Sequence, residues 1–250
     1  MAVTIQEFIA ANRIQIERQF MIGSPVQAEL PGEAVLDGGL HALLDRYLAG
    51  FPAGTDRRGI ASLWSAIYFN RFPGPVVGAA LVAGRLLPVG FGESGLIPTD
   101  DGCHIAAIRI PHGGVPIKGD VFARLHALVR EHLDPLIRSI SAWARVSPKV
   151  LWGIVGNGLD WTLRDIAALP EMQAEHIAEF NRIMIENHWP DGWRNPLFEP
   201  VRYVDSPEGL RREKRVCCLR YLLPNDDFCS ICPSEVVAKA RKACLKEAVT

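Results

Sequence analysis

Five of the six cysteines, Cys217, Cys218, Cys229, Cys232 and Cys244, fall in the last 34 of 250 residues, while Cys103 stands alone. Cys217-Cys218, ten residues, then Cys229-Ser230-Ile231-Cys232 make the pattern C-C-x10-C-x2-C. In a reducing compartment, thiols gathered like this hold metal rather than forming disulfides. Four thiolates satisfy either a tetrahedral zinc or a [2Fe-2S] cluster. Adjacent side chains on a regular strand point to opposite faces, so the backbone must bend at Cys217-Cys218 for both sulfurs to reach one site, or they must serve different iron atoms. A two-iron cluster accommodates the second arrangement more readily than a single zinc does. A zinc knuckle stapling the end of the chain and a set of buried thiols are the blander readings.

The surroundings of the pattern are basic. Arg211, Arg212, Lys214, Arg215 and Arg220 precede or flank Cys217-Cys218, with Glu213 opposing them. Such a patch attracts an anionic ligand or an acidic protein by complementary field, or it is a solvated strand edge whose charges discourage aggregation. Trp189, Trp193, Tyr203 and Tyr221 could wall a ligand site, but aromatics beside proline-rich loops are more often core, and Trp64, Tyr68 and Trp152 fall at helical spacings that packing explains. Of the seven histidines, His188 is near enough to the cysteines to act as a proton-linked partner.

Other chemistry-bearing patterns fail on context. Gly90-Phe-Gly92-Glu-Ser-Gly95 satisfies G-x-G-x-x-G, yet Leu96-Ile-Pro-Thr follows and no helix can start there to receive a pyrophosphate. No H-E-x-x-H is present, and Asp100-Asp101 and Asp226-Asp227 sit in turn-like settings.

The elements that must position the cysteines read as helices, strands, helices and strands, the order of an α+β fold. Helices are expected over 4–20, with Thr4 and Glu7 as a capping box, and over 33–48, 58–72 and 76–85. Segments 87–91, 95–99 and 103–110, separated by Gly, Pro and Asp, read as strands of a small, mainly antiparallel sheet. An amphipathic stretch over 120–144, a helix from Ser147-Pro148 through Leu159 and another over 172–187 follow. Strands are expected over 198–204 and 215–223, with Pro233 opening a last helix over 234–246. The expected organisation is a helical and sheet domain, 1–200, with the cysteine segment, 201–250, packed on it.

Composition agrees with a globular chain. Hydrophobic residues are 48% and charged residues 22% of the total, and 27 Lys+Arg against 28 Asp+Glu leave a net charge of −1, which argues against a surface built for nucleic acid. The most apolar stretch, 76–91, is cut by Arg85, so no spanning segment is expected, and the first residues resemble no secretory signal; a cytoplasmic setting is the expectation.

Arg215-Val-Cys-Cys-Leu-Arg-Tyr-Leu-Leu-Pro with Phe228-Cys-Ser-Ile-Cys-Pro resembles the carboxy-terminal signature of the FhuF-type ferric siderophore reductases, in which C-C-x10-C-x2-C binds [2Fe-2S]. Ala61-Ser-Leu-Trp-Ser-Ala-Ile-Tyr-Phe and Val146-Ser-Pro-Lys-Val-Leu-Trp-Gly resemble internal stretches of that family, although Ile154-Val155 follow Trp152-Gly153 where the family often has Asn, and Asn157 comes three residues later. The resemblance implies a cluster on Cys217, Cys218, Cys229 and Cys232, and one-electron reduction of Fe(III) in a siderophore of the hydroxamate kind. Its oxygen ligands hold hard Fe(III) far more tightly than Fe(II), so reduction is release. The donor expected on this reading is a ferredoxin or a reductase. A binding module with a structural zinc, and an electron shuttle or redox sensor without a chelate site, are the alternatives.

Overall fold

The computed structural model describes residues 5–27, 29–206, 209–224, 226, 228–229 and 231–233. Thr4, Asp227 and the expected helix over 234–246, with Cys244, lie outside them. In chain order the elements are α1 (Ile5–Gln19), β1 (Phe20–Ile22), β2 (Leu30–Pro31), α2 (Gly32–Ala34), α3 (Leu40–Ala49), α4 (Arg57–Arg71), α5 (Pro73–Leu81), β3 (Arg85–Leu86), β4 (Gly95–Pro98), β5 (Ile105–Ile110) and β6 (Val115–Pro116). Then come α6 (Val121–His126), α7 (Asp134–Ala144), α8 (Pro148–Ala167), α9 (Ala174–Ile185), β7 (Val201–Ser206) and β8 (Gly209–Lys214). The architecture is α+β. Helices α4, α7 and α8 pack on one another around Trp64, Ile137, Ile140, Leu151 and Val155, and α5 closes against α8.

One sheet has the order β1-β5-β4-β2, parallel between β1 and β5 and antiparallel elsewhere; β3 pairs with β6 and β7 with β8, both antiparallel. The parallel pair is a departure from the meander expected. It arises because α1 delivers Phe20 onto the edge of β5, in register with Ile108.

Three further departures have local causes. The helix expected over 33–48 is interrupted by a kink at Asp37-Gly38, where Gly38 adopts φ +97°, a conformation that glycine takes without a Cβ penalty. The 120–144 stretch is helical, with Asp120 capping Ala123 N–H, but passes through a π segment, Ala127–Leu133, immediately before Pro135. Proline lacks an N–H and its ring crowds the carbonyl four residues back, and the wider turn absorbs both.

The third is segment 87–91, read as a strand and found irregular. Pro88 offers no N–H, Val89 O accepts from His132 Nδ1 at 2.7 Å and from Ser94 Oγ at 2.8 Å, and Phe91 N donates to Glu131 O. Its backbone groups are spent on the α6–α7 helix and on a turn. The His132 ring is buried against Phe91, their centroids 4.4 Å apart, and its Nε2 lies 2.7 Å from Tyr68 Oη. A carbonyl only accepts, so Nδ1 carries the proton and Nε2 accepts from the Tyr68 hydroxyl.

Burial holds His132 neutral, its pKa pulled down to about 4. The unfolded chain binds this proton near pH 6.5 and the folded chain does not, so the contribution is complete above about pH 6.5 and is lost as pH falls towards 4. Between pH 7 and pH 5 urea unfolding should lose about 2 kcal/mol from this group. In His132→Gln that increment should vanish from the pH dependence; an unchanged slope would refute the assignment.

Candidate metal centre

Strands β7 and β8 form a hairpin, Val201 opposite Lys214 and Tyr203 opposite Arg212, that ends at the first two cysteines. Its strongest attachment is Arg212. That guanidinium reaches into α8, donating to Asp160 Oδ2 at 2.8 Å and Asn157 Oδ1 at 2.8 Å, and it lies 4.9 Å from the centre of the Trp161 ring. On β8, the buried Glu213 accepts from Arg202 and from Arg211. Arg220 pairs with Asp226 at 2.9 Å and Arg215 with Glu199 at 2.6 Å. In the basic patch read from the sequence, Arg211, Arg212, Arg215 and Arg220 each thus meet a carboxylate, with Glu213 shared by Arg202 and Asp160 by Arg164, while Lys214 Nζ sits 3.7 Å from Cys229 Sγ.

Beyond Lys214 the chain leaves the strand. The strand expected over 215–223 is instead an extended link followed by a 3₁₀ turn, Arg220–Leu222. The turning point is Leu219, at φ +65°, a left-handed conformation that costs a residue with a side chain about 1–2 kcal/mol and marks a place the surroundings dictate. Its N–H donates to Cys217 Sγ at 3.4 Å. The bend that the Cys217-Cys218 pair demands is made one residue later.

The Cys229–Cys232 loop returns to the same place: Lys214 N donates to Ile231 O at 3.1 Å, and Cys232 N to Cys229 O at 2.9 Å. The four sulfurs come together as two pairs. Cys217 and Cys232 Sγ are 3.6 Å apart, and the Cys229 thiol hydrogen-bonds to Cys218. That bond, with Lys214 and the Arg220 N–H assisting, pulls Cys218 down to about 5, while the proton held between the two sulfurs pushes Cys229 up. Cys218 and Cys232 are buried and their partners half-buried. Among the described residues no three His, Cys, Asp or Glu side chains surround one point as ligands of a single ion.

Close approach by glycine seats this segment on both helices that carry the internal sequence resemblances. On α4 a Cβ at Gly59 would lie 2.9 Å from Leu223 Cδ2. On α8 Gly153 faces Val216, and a Cβ at Gly156 would overlap the Pro200 ring. Pro200 cannot yield by a rotamer change, so Gly156→Ala should cost about 1–3 kcal/mol, the range for overpacking, and lower the melting temperature. A variant as stable as wild type would show that the hairpin is not seated here.

Beside Val216 a cavity of about 410 Å³ opens between the start of α8 and the loop over 187–200. Trp152, Phe198 and Pro200 wall it, and Lys149, Arg194, Glu199 and Arg215 stand around it. Sequence reasoning missed Lys149 and Arg194. The only signal was that Lys149 precedes Trp152-Gly153 by three residues, and nothing marked Arg194, which reaches the site because its loop folds back through a His188–Arg194 bridge. His188 itself is exposed. Trp64, Tyr68 and Trp152 are buried core, as their helical spacing indicates; of the aromatics read as core beside proline-rich loops, Trp189 is buried, whereas Tyr203 and Tyr221 are substantially exposed.

The fold and site therefore define an α+β protein whose thiols gather in two pairs at the end of a terminal hairpin. Residues 104–210 match the family described as "Ferric iron reductase FhuF-like transporter", a match that ends short of Cys217. The chain is also similar to a "Ferric siderophore reductase" of Escherichia coli (strain K12), 24% identical over 185 residues that cover 71% of this chain and 66% of that protein. The chain is thus similar to FhuF-like proteins over its middle part. No helix among the described residues is long and apolar enough to cross a membrane.

Proposed function

We propose that the chain is an oxidoreductase that reduces Fe(III) held by a siderophore, with Cys217, Cys218, Cys229 and Cys232 holding a [2Fe-2S] cluster. The observation that carries the reading is the pairing of the sulfurs. Two thiolates on one tetrahedral iron, with bonds of about 2.3 Å, lie about 3.8 Å apart. Cys217 and Cys232 already stand at 3.6 Å, and Cys218 and Cys229 form the second pair. Two pairs suit two irons.

Bound here, such a cluster supplies one electron at a time. The chain's own groups set its surroundings: the Leu219 and Arg220 N–H groups and Lys214 all face sulfur, and donors and positive charge there favour the added negative charge. The substrate Fe(III) takes one electron and becomes Fe(II), which hard oxygen ligands release, so no acid, base or nucleophile is required. By family resemblance the chelate is a hydroxamate, and the electron comes from a ferredoxin or reductase in the cytoplasm.

The test is to purify the protein without oxygen, record its visible spectrum, and assay iron, zinc and acid-labile sulfide on one sample. Two irons and two sulfides per chain, with bands bleached by dithionite and restored by a ferric hydroxamate, are expected. A colourless protein with one zinc would overturn the reading; a cluster that ferric chelates do not reoxidise would leave an electron shuttle.

A further inference from the structure

We propose that the cavity between the start of α8 and the loop over 187–200 receives the negatively charged side of the ferric chelate, so that the preferred substrate carries free carboxylates beside its iron-binding groups. This rests on the reductase reading above. It goes further in naming the site and the charge class of its ligand.

The position is the first argument. Val216 lines the cavity and Cys217 is the next residue, one peptide unit or about 3.8 Å along the chain. A chelate seated there lies beside the thiol segment. Charge is the second. Near the cysteines each arginine of the patch touches a carboxylate, even where Glu213 and Asp160 are each shared by two, but at this cavity Lys149, Arg194 and Arg215 face Glu199 alone, which leaves an excess of two positive charges. Lys149 and Arg194 have no ion-pair partner among the described residues. The start of α8, a helix of 20 residues capped by Ser147, adds its positive end to the same side. Shape is the third. The Trp152 ring, Phe198 and Pro200 give the cavity apolar walls, the combination of an apolar surface with a few convergent charges that small-molecule sites share.

A neutral ferric tris-hydroxamate has nothing for this excess charge to meet. A citrate-based dihydroxamate whose arms bear carboxylates presents its hydroxamates and the citrate carboxylate to Fe(III) and keeps the arm carboxylates free on its periphery. Three cations around one apolar cavity are placed to read that difference, and the bidentate fork of arginine matches a carboxylate.

Gallium(III), similar to Fe(III) in charge and size but not reducible under these conditions, separates binding from reduction. Titration of the full-length protein with the Ga(III) complexes of a citrate-based dihydroxamate and of a neutral tris-hydroxamate, followed by calorimetry, should show the anionic complex binding at least about tenfold tighter at low salt, with the advantage shrinking as salt rises. Lys149→Glu/Arg194→Glu should lose about tenfold or more for the anionic complex and less than about twofold for the neutral one. Glu199→Gln, which releases Arg215, should bind the anionic complex more tightly. The residues are exposed, and the single changes Lys149→Gln and Arg194→Gln carry the test if the double reversal fails to fold.

Equal affinity for the two complexes, or indifference to these substitutions, would overturn the proposal. So would a double variant whose only defect is slower reduction by the donor protein, since the cavity would then be a donor surface. If the anionic Ga(III) complex binds as expected but its Fe(III) counterpart never reoxidises the reduced protein, the cavity stands and the reductase reading falls.

Discussion

Serine in place of Cys232 should leave the purified protein with less than about a tenth of the wild-type iron and sulfide, and with no chelate-dependent turnover. Loss of a group that merely orients a metal ligand costs about 10–100-fold in metal affinity, and loss of a ligand costs at least as much. The same is expected at Cys217, Cys218 and Cys229. The pairing makes the prediction sharper. Where residual cluster survives, Cys217→Ser and Cys232→Ser should resemble each other in electron paramagnetic resonance of the reduced state, because on the proposed pairing both would put oxygen on the same iron, and Cys218→Ser and Cys229→Ser should form the second class. Grouping by sequence neighbours instead, Cys217 with Cys218 and Cys229 with Cys232, would show that the sulfurs rearrange on binding. Cys103→Ser is the control: it sits in the turn before β5, its N–H bonded to Asp101, and should change neither iron nor sulfide.

What the sequence made legible follows from how local each signal is. The thiol pattern is a run of sixteen residues and announces its own chemistry, so the four candidate ligands are readable without a structure. Helices α4, α8 and α9 declare themselves through periodicity and, at Ser147, a cap. The 87–91 segment does not, because what denies it a strand is His132, more than forty residues away, taking Val89 O. The same holds for the basic patch. Five cations beside the cysteines read as an attracting field or a solvated strand edge, but the pairing of four of them with Asp160, Glu199, Glu213 and Asp226 depends on hairpin and helix geometry, as does the gathering of Lys149 and Arg194 at the cavity. Charge patterning along a chain counts residues. It cannot count partners that the fold brings from elsewhere.

The ion pair of Arg109 with Glu29 was equally invisible, and its loss should give a large stability change. Both side chains are almost wholly buried. Arg109 Nη2 donates to Glu29 Oε1 at 2.7 Å, Nε donates to the same carboxylate at 3.1 Å, and Nη1 donates to Glu93 O at 2.6 Å. Glu29 also accepts from Val26 N–H, and the adjacent guanidinium holds its carboxyl below the usual range. Arg109 lies on β5, opposite Met21 of β1 and Gly95 of β4, so the pair pins the β1–β2 connection onto the sheet. Glu29→Ala would strand a buried guanidinium with one carbonyl for company, at a cost of about 3–5 kcal/mol. A replacement of both residues by apolar ones of similar volume, Glu29→Met with Arg109→Met, should recover much of that, because neither charge is then left uncompensated. Urea unfolding of the two single variants and the double variant decides it: a double loss equal to the sum of the two single losses would mean that the pair is not coupled. The clamp grips the sheet rather than the hairpin, so Glu29→Ala should retain the iron and sulfide of wild type under conditions where it is folded, unlike any of the four cysteine variants.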